Sequence, residues 1–358
     1  MKGSMSISAP PVSRWPLRLA RLALALAVVA AAWSGLWFFG AWQIGSRMDS
    51  WMASQRRAGR DWTCPQRKIE GFPFKIELSC DQPGLAMTTG NRVVTGKLKR
   101  LQVMAEITAP TTLVATAGSP LELDLADGRR HLTLDWASLT LRLHGLASAV
   151  PQADLAMVNP AAVLRMDNEP DQTGSAEALA LHAEPNPQRP AVDHAVDAWL
   201  TISKLAVPAL DGLSGSPVPA DVATSVTLSQ ADFPKGLTTA QLLERWRRAD
   251  GRFDVTSASL VKGIMTLEGS GHVGLDVEHR MQGRLDAKAA GLEPILTRLG
   301  VPVAAMNVGN ALNGLLKLGK GQQPTIAKAV TLPLPLKFDN GHVYFGPLKT
   351  PVALQPLY

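Results

Sequence analysis

Beyond Gly59 the dominant pattern along the chain is a two-residue alternation of apolar and polar side chains. Leu121, Leu123 and Leu125 alternate with Glu122 and Asp124; Leu132, Leu134 and Trp136 follow after Asp127-Gly128; Leu139, Leu141 and Leu143 alternate with Thr140 and Arg142. Successive side chains of a strand point to opposite faces, so each run predicts a half-buried strand and the three together predict an antiparallel meander. The pattern returns at residues 222–228, 253–260, 263–268, 273–277 and 281–287, punctuated by Gly or polar pairs as repeated hairpins are. Near the end, Val330, Leu332, Leu334, Leu336 and Phe338 alternate with Pro333 and Pro335. Proline cannot donate to a ladder, so this strand is expected at an edge.

Helical periodicity is rarer. Thr238 and Gln241 form a capping box for TTAQLLERWRRAD, with Leu242, Leu243 and Trp246 on one side and Gly251 just past the end. Leu292, Ile295, Leu296 and Leu299 make another stripe, stopped by Gly300, and Pro302 opens a further predicted helix to about Leu318. The fold class expected from all this is mainly β, a curved antiparallel sheet with a few short helices. A Pro-rich stretch from Asp167 to Asp193 is the best place for a boundary within it.

The longest apolar run is of a different kind. Residues 22–44, LALALAVVAAAWSGLWFFGAWQI, carry no formal charge and lie between Arg21 and Arg47. As a helix they span the ~30 Å hydrocarbon core of a bilayer. Trp33, Trp37 and Trp42 crowd the second half, where amphipathic rings favour the headgroup boundary. A cleaved signal peptide is the competing reading, with Ala30-Ala31-Ala32 as the small-residue site. The apolar continuation through WFFGAW favours an uncleaved anchor. The expected organisation is a cytoplasmic tail (1–21), a transmembrane anchor (22–44) and a β-rich body (45–358). Met48, Trp51, Met52 and Gln55 continue the helix to about Gly59.

Charge refines this picture. The formal net charge is +6, but Lys2, Arg14, Arg18 and Arg21 all precede the apolar run and no acid comes before Asp49. The body is therefore close to neutral, which argues against nucleic acid as a partner. Arg47, Arg56, Arg57 and Arg60 balance the N-terminal cations, so flanking charge does not orient the helix. Placement of the body outside the cytoplasm, in the periplasm, rests on its size and on Cys64 and Cys80. A bridge between them would close a short loop worth on the order of 3 kcal/mol. Two free thiols remain the alternative; zinc is a poor one, for want of neighbouring ligands.

Other candidate chemistry is thin. Gly269-Ser270-Gly271-His272-Val273-Gly274 fits G-x-G-x-x-G, but the sequence after it alternates as a strand does, whereas a dinucleotide site needs a helix to begin there. His272 and His279, with Asp276 and Glu278 nearby, lack metal-ligand spacing and read as solvated strand histidines. No nucleophile elbow, phosphate loop or Cys-His arrangement occurs, so no catalytic residue, metal or cofactor is expected. Arg245, Arg247 and Arg248 beside Trp246 read as a solvated helix face.

The segments GRDWTCPQRKIEGFPFKIELSCDQP, WRRADGRFDVTSASLVKGIMTLEGSGHVGLDVEHRMQGRLDAKAAGLEPILTRLG and LPLPLKFDNGHVYFGPLKTP resemble an uncharacterised family of alphaproteobacterial envelope proteins, known as a domain of unknown function. The Cys pair bracketing GFPF is its more specific motif. The Gly-punctuated strands are also similar, more distantly, to the AsmA-like group, whose members are anchored in the inner membrane and implicated in phospholipid transport or outer-membrane assembly. The resemblance implies a periplasmic β-rich protein of envelope maintenance. Two functions are expected to compete: shielding of lipid on an apolar sheet face including Leu121, Leu132, Leu134, Trp136 and Leu141, or a non-enzymatic scaffold that binds envelope proteins by its sheet edge.

Overall fold

The computed structural model describes residues 15–89, 92–125, 129–148, 150–208, 211, 215–234, 236–291, 332–345 and 348–358. The stripe at Leu292–Leu299 and the helix expected after Pro302 lie outside these residues, as does the Asp127-Gly128 turn. One helix, α1 (Trp15–Arg57), precedes a single antiparallel sheet of 20 strands. Its strands are β1 (Arg60–Thr63), β2 (Gln66–Glu70), β3 (Lys75–Asp81), β4 (Gly84–Thr89), β5 (Arg92–Glu106), β6 (Leu113–Leu125) and β7 (Arg130–Asp135). They continue with β8 (Ser138–His144), β9 (Gln152–Val158), β10 (Ala161–Met166), β11 (Gln172–Ser175), β12 (Ala178–Pro185), β13 (Val196–Leu205) and β14 (Ala220–Leu228). After α2 (Thr239–Arg248) come β15 (Phe253–Lys262), β16 (Met265–Leu275), β17 (Met281–Ala290), β18 (Leu332–Asp339), β19 (His342–Phe345) and β20 (Leu348–Ala353).

The connectivity is a meander. β5 pairs with β3 and β4 on one side and with β6 on the other. β6 pairs with β8 through its first half and with β7 through its second. β8 and β7 continue to β9 and β10, and these to β12 and β11. From β12 to β20 each strand pairs with the next. The Pro-rich stretch from Asp167 to Asp193 thus contributes β11 and β12 to the same ladder.

Short strands come in collinear pairs because the ladder breaks at one level across many neighbours. The breaks fall at Cys64-Pro65, Gln82-Pro83, Lys99, Ser119-Pro120, Trp136-Ala137, Asn159-Pro160, Ala176-Glu177 and Ser203-Lys204. Prolines withdraw ladder donors there, and Gln82, Asn159 and Lys204 take φ of 51°, 48° and 51°. Such breaks reset the side-chain alternation. That explains why the Leu phase changes from even numbers at Leu132 and Leu134 to odd numbers at Leu139, Leu141 and Leu143.

Two sequence expectations need correction. Residues 263–268 and 273–277 belong to one strand, β16, because Gly269 to Gly274 stay in the ladder between β15 and β17. The proline-bearing strand β18 is interior, paired with β17 and β19. Its prolines are accommodated because β19 pairs with it only from Leu336 to Asp339, which leaves Pro333 and Pro335 without a ladder partner on that side among the described residues.

α2 carries the expected capping box: Gln241 N–H donates to Thr238 Oγ1, and the Thr238 N–H to Gln241 Oε1. Its Trp246 is 4% exposed, stacks edge-on to Phe253 at 5.3 Å and donates to the Ser229 carbonyl at 2.8 Å. A Cβ at Gly251 would lie 2.2 Å from the Trp246 ring nitrogen, so a side chain cannot be placed there without moving the indole.

Candidate functional site

Register alone assembles the main feature of the molecule. Residues paired across a ladder share a face. Starting from Leu78, one cross-strand row reads Val103, Ala115, Leu141, Leu155, Leu181, Leu200, Thr224, Ala258, Gly269 and Ala287. The row beside it reads Ile76, Ala105, Leu113, Leu143, Ala153, Ala183, Ala198, Val226 and Val255. On the other side run Leu101, Ala117, Leu139, Met157, Leu179, Ile202, Val222, Leu260 and Leu267. One face of the sheet is therefore apolar across more than ten strands.

The alternate residues make a polar face. Arg142, Asp154, His182 and Trp199 occupy consecutive strands there. His182 Nδ1 lies 2.6 Å from Asp154, which with Glu184 holds the imidazole pKa above its ordinary value.

Burial sets the two faces apart from an ordinary packed sheet. Among the described residues the buried apolar side chains are Trp37, Ala41, Cys80, Trp136, Ala195, Ala220, Ala231, Trp246 and Ala289. No Leu, Ile, Val, Met or Phe is among them, although such residues ordinarily fill a core. Leu181 is 36% exposed in the middle of the apolar face. Where the central row turns small, at Ala258, Gly269 and Ala287, the face sinks into a trough of about 330 Å³. Its walls are Val222, Val255, Leu260, Leu267, Leu285 and Leu336.

α1 lies on this apolar side, and α2, at the end of the sheet between β14 and β15, reaches it through Trp246. α1 passes Gly40 over Ile76 and Gly45 over Ile69, where an added Cβ would meet the isoleucine Cδ1 atoms at 3.7 and 3.6 Å, and it sets Trp51 against Trp62 at 5.7 Å. Arg67 clamps Asp49 of α1 at 2.6 Å, and α2 brings Trp246 to Phe253. The sheet winds enough for Arg60, at the start of β1, to donate to the Leu237 carbonyl ahead of α2 at 3.3 Å.

The residues expected to form this surface separate into two sets. Leu121 and Leu134 are directly paired, and Leu132 is the next apolar residue on their face, paired with Leu123. Leu141 lies beyond the ladder break, paired with Ala115 and Leu155. Trp136 does not belong with them. It is buried at the break, its indole donates to the Ala117 carbonyl at 2.8 Å, and it lines a notch with Asp81, Lys99 and Arg100 on the polar side. The break at Trp136-Ala137 ends the alternation that would have kept it in phase with Leu134. The trough was missed in the sequence because its floor is alanine and glycine; the signal was small residues at alternate positions between larger ones.

Cys64 and Cys80 are at disulfide distance, 1.96 Å between sulfurs with Cα atoms 5.6 Å apart, and staple β1–β2 to β3 at the line of breaks. Gly269 to Gly274 opens no helix and so forms no phosphate cradle. His272 pairs with Arg284 on β17, while His279 stacks on Tyr358 at 4.2 Å in the following turn, so the two do not converge. Among the described residues no group of three His, Cys, Asp or Glu side chains is placed to hold a metal ion. Lys262 is buried and paired with Asp211 at 2.6 Å and with the Val218 carbonyl, which pins the connection between β13 and β14.

No curated protein and no solved structure matches the chain. A family model described as an uncharacterized protein conserved in bacteria (DUF2125) matches residues 37–353, from the second half of α1 through β20. The chain belongs to this bacterial family.

Proposed function

We propose that this is an envelope protein, held in the inner membrane by α1 with its sheet in the periplasm, that shields the acyl chains of phospholipid on its apolar face. The observation that carries the reading is the sheet that presents three apolar rows and a trough while burying no aliphatic side chain larger than alanine among the described residues. Each methylene withdrawn from water onto such a surface contributes about 0.8 kcal/mol, so a single acyl chain has enough apolar surface to offset the cost of its ordering. α1 supports the membrane part, with a mean hydropathy of 2.1 in its apolar window and residues 19–32 exposed. The Cys64–Cys80 pair supports an oxidising compartment. The alphaproteobacterial and AsmA-like resemblance of the Gly-punctuated strands points the same way. The proposed role is non-enzymatic, since among the described residues of the apolar face no hydroxyl is paired with a base.

Native mass spectrometry of the full chain, released from membranes in a mild detergent, tests the reading. Phospholipid retained in defined stoichiometry, and lost on Ala258→Phe, which fills the trough, is the expected result. A lipid-free chain bound to a defined protein partner would move the function to scaffolding at the sheet edge.

A further inference from the structure

The GFPF hairpin remains without a role. It joins β2 to β3 and points Phe72 and Phe74 outward, 50% and 69% exposed. α1 grips it from the side: the Trp33 indole donates to the Pro73 carbonyl and the Trp37 indole to the Lys75 carbonyl, both at 2.9 Å. Phe72 stacks on Phe38 at 6.0 Å and meets the edge of Trp37 at 5.6 Å. The hairpin is therefore fixed to α1 at the level of Trp33 to Phe38. Two indole N–H groups held by backbone carbonyls and five aromatic rings at one height match what a headgroup boundary accommodates.

We propose that this hairpin is a membrane seat: Phe72 and Phe74 dip into the outer headgroup–acyl boundary beside α1, and the bilayer span ends there. This rests on the reading of α1 as an uncleaved anchor. Were the bilayer to extend to Ile44, the hairpin level would lie about 9–16 Å inside it. The Lys75–Glu77 ion pair, beside the hairpin tip, would then be in hydrocarbon, a costly place for charge. A span from Leu19 to Trp37 is about 27 Å long, close to the ~30 Å core, with Arg21 reaching back to the cytoplasmic surface. The apolar face of β2 and β3 then begins at the membrane surface itself, where Ile69 and Ile76 follow the hairpin.

The test uses the full chain, disulfide intact, in vesicles of phosphatidylethanolamine and phosphatidylglycerol. Spin labels are placed singly by Leu26→Cys, Phe72→Cys, Phe74→Cys and Ile264→Cys, and collision with oxygen is compared with collision with a water-soluble nickel chelate. The oxygen-to-nickel ratio at 72 and 74 is expected to exceed that at 264 several-fold, with the ratio at 26 higher still. Equal ratios at 72, 74 and 264, with a high ratio at 26, would place the hairpin in water and overturn the seat while the anchor stands. A low ratio at 26, or a mature N-terminus at Trp33, would overturn the anchor and the seat together.

Discussion

Helices touch the apolar face beside β2 and β3 and at the start of β15, and the stretch between these contacts lies open. Ile69 and Ile76 lie beneath Gly45 and Gly40 of α1, and Phe253 lies against Trp246 of α2. Between them Leu141, Leu155, Leu181 and Leu200 share the same face and stay half-exposed. Covered and bare stretches have the same alternating sequence, so alternation reports which face a residue takes and says nothing of what lies on it. The helix contact is partial: Ile69 and Ile76 are half-buried and Phe253 is 43% exposed, and Trp246 is the tightly packed side chain there. In the bare stretch the same residue types leave apolar surface free for a ligand.

Substitutions at covered and bare positions should therefore differ in kind. Trp246→Ala removes the largest covered side chain and orphans the Ser229 carbonyl, and is expected to cost about 3–5 kcal/mol, read as a loss of urea midpoint. An effect below about 1 kcal/mol would mean that α2 does not cover the sheet. Cys80→Ser opens the staple at the line of breaks and should cost roughly 2–4 kcal/mol, with lipid content per folded molecule unchanged. Alkylation of both thiols without prior reduction would contradict the staple. On the polar face the smallest effect is expected. Asp154 holds the pKa of His182 above its ordinary 6.5, so the stability of that pair is complete below about pH 6.5. It is lost as pH rises through the higher folded value. Melting temperature measured from pH 6 to pH 9 should fall slightly, and His182→Gln should flatten that slope without touching lipid content.

The strands within residues 121–143, 222–287 and 332–338 were legible because alternation survives in them, as were the capping box at Thr238 and the apolar helix; strands such as β10 (AAVLRM) and β11 (QTGS) carry no such alternation. Four features were not. The line of ladder breaks depends on prolines 65, 83, 120 and 160 coming level with one another, and only register reveals that. Trp136 continues the sequence phase of Leu134 yet turns to the polar side, because the strand ends beneath it. The trough at Ala258, Gly269 and Ala287 is made of residues too small to mark a site by hydrophobicity. The grip of Trp33 and Trp37 on the GFPF hairpin joins segments about 40 residues apart and carries no local pattern.

Leu155→Glu, placed in the bare middle row between Leu141 and Leu181, tests the central claim most directly when fold and lipid are measured on the same sample. If the face holds acyl chains, the carboxylate hydrates in the open surface. Stability then falls by less than about 1.5 kcal/mol, while co-purified phospholipid drops to a small fraction of the parent value. A variant that unfolds or fails to accumulate would show that this face is already filled by protein, since an unpaired charge in a packed apolar site costs several kcal/mol. That result would contradict the account.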